Sequence, residues 1–146
     1  MARRAIATPK VACVDSGVAA CLLGLDENRL ATGGDLFGPL LEGFVLMELA
    51  RQITWAEEEV RLFHYRTKDM VEVDAVLETT DGRIAGVEVK ASATVRSDDF
   101  RGLRLLERQA GDAFAAGVVL YTGDECLSFG PRLKALPVGA LWRLAL

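Results

Sequence analysis

The chain has 146 residues, 51% of them apolar and 26% charged, the size and make-up of one globular domain rather than of a disordered polymer. Seventeen Lys and Arg against 21 Asp and Glu leave a net charge of −4, which excludes strong global attraction to nucleic acid and leaves such contacts to local patches. A single histidine, His64, excludes a histidine-rich metal cluster, and no apolar run approaches the ~20 residues that span a bilayer.

The N-terminal MARRAIATPK carries two arginines but no apolar segment long enough for a signal peptide, so a cytoplasmic location and no membrane partner are expected. Cys13, Cys21 and Cys126 are odd in number, widely spaced and set among apolar residues; they read as buried thiols of a reducing compartment. Asp15-Ser16 is placed to cap a helix over 17–25, and DENRLATGG reads as a loop. From 36 to 55 the positions of Leu40, Leu41, Phe44, Val45, Met47 and Leu49 predict a long, mostly buried helix, with Pro39 in its first turn. Residues 61–67 read as a strand and Lys68-Asp69 as a tight turn. Two further strands, 71–80 and 83–93, form a hairpin through Asp81-Gly82.

Ser97-Asp98 then caps a helix to about Ala110, with Phe100, Leu103 and Leu106 inward. Residues 115–121 and 126–129 read as strands. Pro131 and Pro137 predict an irregular tail, and 139–144 a last short helix. The order is helix, three strands, helix, strand. It predicts an α/β fold, a small mixed sheet flanked by helices, in one domain of residues 1–146 with its core at about 36–122.

The hairpin VEVDAVLETTDGRIAGVEVKAS raises a chemical question. Strand side chains alternate, so Val71, Val73, Ala75 and Leu77 are expected on one face and Glu72, Asp74, Val76 and Glu78 on the other. Pairing about Asp81-Gly82 sets Asp74 nearly opposite Glu88, with Lys90 on the same face as Glu88. Facing carboxylates repel unless a proton or cation lies between them, and two such ligands with waters suit Mg²⁺ or Mn²⁺. Lys90 would orient the attacking water and offset charge building on a phosphate. The same spacing also arises by chance on the solvated face of an amphipathic hairpin, and from the residues alone both readings stand.

The pattern of helix, hairpin with D…E-x-K, helix and strand resembles the PD-(D/E)xK, or restriction-endonuclease-like, nuclease superfamily. The segments KVACVDSGVAACLLGL, LFGPLLEGFVLMEL, LFHYRTKDMVEVDAVLE and GVEVKAS resemble, within it, the C-terminal domain of unknown function 4143 carried by many bacterial and archaeal AAA-type ATPases. The resemblance covers roughly residues 9–125 and implies an αβββαβ core. It makes Asp74 and Glu88 catalytic acids and metal ligands, Lys90 the catalytic lysine, and Glu42 the helical glutamate that reaches the metal. Val73 stands where the superfamily has proline. No ATPase phosphate loop occurs in the chain.

Around this core, Glu48 reads as a cap-side or solvent acid, since it lies about 1.7 turns beyond Glu42. Glu72 reads as an exposed strand-start acid or a support for Asp74. In HYRTK, His64, Arg66 and Lys68 are either phosphate contacts or outward positions of an edge strand. Arg101, Arg104 and Arg108 recur at i, i+3 and i+7, a stripe that would track a nucleic-acid backbone or simply face solvent. Two functions follow. The first is a Mg²⁺- or Mn²⁺-dependent phosphodiester hydrolase acting on DNA. The alternative is a non-catalytic nuclease-like module that binds nucleic acid or assembles with an AAA-type ATPase. Self-association into a homo-oligomer through the helix at 36–55 or the Leu-rich tail is the third partnership considered.

Overall fold

The computed structural model describes residues 10–143. The leading segment 1–9, included in the signal-peptide reading, and Leu144 of the expected last helix lie outside them. Two short helices come first, α1 (Ser16–Leu22) and α2 (Glu27–Ala31). Asp15 caps α1 as expected, its carboxylate accepting from the Val18 N–H at 2.9 Å. The helix α2 falls within the expected loop; Asp26 caps it by accepting from the Arg29 N–H at 2.8 Å.

The long helix α3 (Phe37–Gln52) continues as a 3₁₀ turn over Ile53–Trp55. Strands β1 (Val60–Arg66), β2 (Glu72–Thr79) and β3 (Ile84–Lys90) follow. The β1–β2 turn places its left-handed residue at Met70 (φ 59°), one step beyond the expected Lys68-Asp69. Gly82 (φ 86°) relaxes the β2–β3 turn, which Asp81 ties to Thr79 and Arg83. A 3₁₀ turn over Ser97–Phe100 runs into α4 (Arg101–Ala110), then come β4 (Phe114–Tyr121), β5 (Leu127–Gly130) and β6 (Leu133–Pro137). A 3₁₀ turn over Val138–Trp142 closes the described chain.

The six strands form one mixed sheet in the order β1-β2-β3-β4-β6-β5. Strands β1, β2 and β3 pair antiparallel, β3 runs parallel to β4 and β4 to β6, and β5 is antiparallel to β6. Strand β6 replaces the expected irregular tail, so the sheet extends past residue 122. Its Pro137 is the strand's last residue, opposite Tyr121 of β4.

Alternation along β4 separates two cores. Val119 and Tyr121 pack with Phe100, Leu103 and Leu106 on the α4 side, whereas Leu120 packs with Val45, Leu46 and Leu49 of α3 on the other. On β2 the expected alternation fails. Phe63 pairs with Val76 and Tyr65 with Val73, so His64 alone opposes Asp74 and Ala75, a β-bulge. Val73 and Val76 therefore share the α4 core, while Ala75 and Leu77 meet the α3 core.

The three cysteines are exposed, contrary to expectation. Cys13 lies in the extended segment before α1, Cys21 on the side of α1 away from buried Ala20, and Cys126 in the turn before β5. Val14 and Leu22, beside two of them in sequence, are exposed as well, so local composition did not imply burial, and nothing about a reducing compartment follows. No helix among the described residues is long and apolar enough to cross a membrane.

Candidate functional site

The β2–β3 ladder stops at Ala75↔Val87, one register step short of Asp74 and Glu88. Beyond that point a side chain replaces the backbone ladder, as Asp74 Oδ2 accepts from the Val89 N–H at 2.9 Å. The bulge turns the other oxygen, Oδ1, to the Lys10 ammonium at 3.1 Å, and the same ammonium is paired with Glu42 Oε1 on α3. Asp74 is buried, and Lys10 and Glu42 are partly so. A charge in such a place persists only when paired, and Lys10 supplies the pairing.

Glu88 completes the acidic group. Burial, and then the charge of Asp74, push its carboxyl up to about 8, against the opposing pull of the Asp74 N–H and the Lys10 ammonium. Its Oε2 is buried with no hydrogen-bond partner. Glu42 is also raised, by burial first and by the charge of Asp74, with Lys10 opposing. For Lys10 itself burial acts downward, but Glu42 and then Asp74 outweigh it and its pKa is raised.

Lys90 is not in this group. Its ammonium pairs with Asp99 Oδ1 at 2.6 Å, on the turn that leads into α4. Burial would raise Asp99, but Lys90 and the Arg96 N–H outweigh it and hold the carboxyl below its ordinary value. The structure thus brings Asp74 and Glu42 together through Lys10, couples Glu88 to them by charge, and turns Lys90 toward a different acid. Lys10 opens the segment KVACVDSGVAACLLGL, but it escaped the sequence reading as a partner because it stands 64 positions from Asp74. Asp99 was equally silent as a partner.

The remaining candidates are scattered. Arg66 pairs with Glu72 at 2.8 Å, so that strand-start acid is engaged by its neighbour on β1. Lys68 and His64 are exposed. Arg104 donates to the Ser97 carbonyl at 2.7 Å and lies over the Phe100 ring, and so braces the entry to α4, while Arg101 and Arg108 remain exposed. Glu48 is buried, not solvent-facing: its carboxylate accepts from Arg51, Gln52 and Trp142, the last joining α3 to the final turn at 3.0 Å. Those donors lower its pKa.

Among the described residues no three His, Cys, Asp or Glu side chains close into an all-protein metal cage. Mg²⁺ and Mn²⁺ sites of the phosphate-processing kind do not need one, since one or two carboxylates suffice with water and substrate oxygens. The partnerless buried oxygen of Glu88, beside the charge of Asp74, fits such an ion.

A family model described as domain of unknown function (DUF4143) matches residues 37–141, and the chain belongs to that family. Over 130 residues it is 27% identical to uncharacterized protein Rv2008c of Mycobacterium tuberculosis and, equally, to uncharacterized protein Mb2031c of Mycobacterium bovis. The aligned region covers 89% of this chain and 27% of each relative, so the chain spans about a quarter of their length. No solved structure matches the chain.

Proposed function

We propose that the chain is a divalent-cation-dependent phosphodiester hydrolase acting on DNA. One observation carries the reading: Glu88 keeps a buried oxygen without a partner at the end of β3, against the charge of Asp74. A purely structural strand end has no use for two coupled carboxylates there, since a neutral residue of similar size would be more stable. The α–β–β–β–α–β order from α3 to β4 agrees with the nuclease-like architecture that the sequence resembles.

In this reading Asp74 and Glu88 hold Mg²⁺ or Mn²⁺, and Glu42 reaches the same ion from α3. Bound there, the ion would supply Lewis-acid activation of water and charge stabilisation on the phosphate. Asp74 is aimed by its bond to the Val89 N–H, which ties the ligand to the rigid end of β3. Lys90 is half exposed, so its ammonium is free to exchange Asp99 for a phosphate oxygen or the attacking water. Arg101 and Arg108 on α4, with Arg66 and Lys68 at the β1–β2 end, are the groups assigned to the DNA backbone.

The test is Mg²⁺- and Mn²⁺-dependent cleavage of single- and double-stranded DNA and RNA by the wild type, Asp74→Ala, Glu88→Ala and Lys90→Ala. Cleavage of DNA that falls at least ~100-fold in each variant is the expected result. A wild type that binds neither Mn²⁺ nor DNA would end the proposal. A second reading, a non-catalytic module that binds nucleic acid or assembles with an AAA-type ATPase, is favoured by one feature: the ammonium on the acids is Lys10, while Lys90 is engaged by Asp99. DNA binding without cleavage would select it.

A further inference from the structure

We propose that Lys10 is a tethered counter-ion that closes the acidic site, and that a divalent cation loads only when Lys10 leaves Asp74 and Glu42. The inference rests on the reading of Asp74, Glu88 and Glu42 as metal ligands and adds a competitor to it. Lys10 bridges one oxygen from β2 and one from α3, elements brought together only by the tertiary fold. Among the described residues no other Lys or Arg side chain is in ion-pair contact with either acid. An ammonium touching both carboxylates takes oxygens that a divalent cation would need, so the two bind exclusively at Asp74 Oδ1 and Glu42 Oε1.

The segment that carries Lys10 is built to let go. Val11 is 91% exposed and Val14 77%, and the thiol of Cys13 is exposed, so these residues bury little apolar surface. Beneath them a cavity of about 310 Å³ separates the segment from α3, lined by Cys13, Ser16, Leu36, Leu40 and Gly43, with Lys10 and Glu42 among its walls. The ion pairs are therefore the main tie between residues 10–14 and the acids, and partly exposed pairs are weak enough to exchange.

A closed state reduces apparent affinity by the fraction of open molecules, so removing the competitor tightens binding by the inverse of that fraction. Mn²⁺ affinity, measured by titration calorimetry and by the electron paramagnetic resonance of the free ion, is compared for wild type, Lys10→Met and Lys10→Arg, with melting curves to show that each is folded. Lys10→Met is expected to bind Mn²⁺ about tenfold or more tightly, and Lys10→Arg, which keeps the charge, to stay near wild type. Should Lys10→Met fail to fold, Lys10→Gln is compared in its place. Equal or weaker Mn²⁺ binding by the neutral variant, with the wild type still binding, overturns the competitor role and leaves the metal site standing. No Mn²⁺ binding by any of the folded proteins overturns the metal site, and the competitor with it.

Discussion

At the scale of single residues, Glu88 gives the clearest pH signature. Its folded carboxyl is raised to about 8 from an ordinary 4.5, so between those values the folded chain holds a proton that the unfolded chain has released. Its contribution to stability is therefore present at acid pH and is lost as pH rises through about 8. Glu88→Gln should flatten that part of the curve and be more stable than wild type at pH 9 by on the order of 3 kcal/mol, as chemical denaturation across pH will show. The proposed metal binding would run the other way: the proton must leave, so Mn²⁺ affinity should weaken progressively as pH falls below about 8, and Glu88→Gln should lose that dependence together with most of the affinity. Glu48 is the contrasting acid, saturated by donors from Arg51, Gln52 and Trp142. Glu48→Ala should lower the melting temperature by several degrees while leaving Mn²⁺ binding unchanged, because it ties α3 to the last turn and touches none of the site.

At the scale of elements, the β2 bulge aims the site. Two β2 residues against one on β1 leave Asp74 and Ala75 together toward α3, which a regular strand cannot do. The helix α4 is pressed onto the same strand from the other side. A Cβ on Gly102 would run into the Glu72 carbonyl oxygen and crowd Val73 Cγ2 at 3.1 Å. Gly102→Ala should therefore destabilise the fold by about 3 kcal/mol, read from a shift in the denaturation midpoint, and should disturb Asp74 through its neighbours. The helices α3 and α4, the hairpin and β4 were all legible as elements, since their apolar periods are long or are bounded by clear turns. The helix α2 was not, because a five-residue helix has no apolar period to read and rests on its Asp26 cap. Nor was β6, where two prolines outweighed the pattern of Leu133 and Ala135, both buried only through pairing with β4.

For the molecule as a whole, one sheet separates two apolar cores, and the acids lie where its β2–β3 ladder ends on the α3 side. Strands β3 and β4 lie inside the sheet, whereas β1 and β5 are its edges and α1 and α2 contribute little buried surface. Hydrogen exchange should accordingly be slowest for the amides around Val87 and Val119–Tyr121, and fastest over α1 and α2. Protection in α1 equal to that of β4 would contradict this division, and with it the loose attachment of the segment that carries Lys10.

The amino-acid sequence by itself determined the α/β class, the order of the main elements and the acids to watch, because periodicity and turn chemistry are local and Asp74 and Glu88 flank one short hairpin. Only the tertiary structure decided which charges meet. A period of two cannot foresee a bulge, since the bulge depends on how β1 and β2 register. No spacing rule joins Lys10 to Asp74 and Glu42, or sends Lys90 to Asp99, since each pairing spans separate elements and is selected by burial. The exposed cysteines and buried Glu48 make the same point: local composition describes a residue's neighbours in the chain, and solvation is set by its neighbours in space.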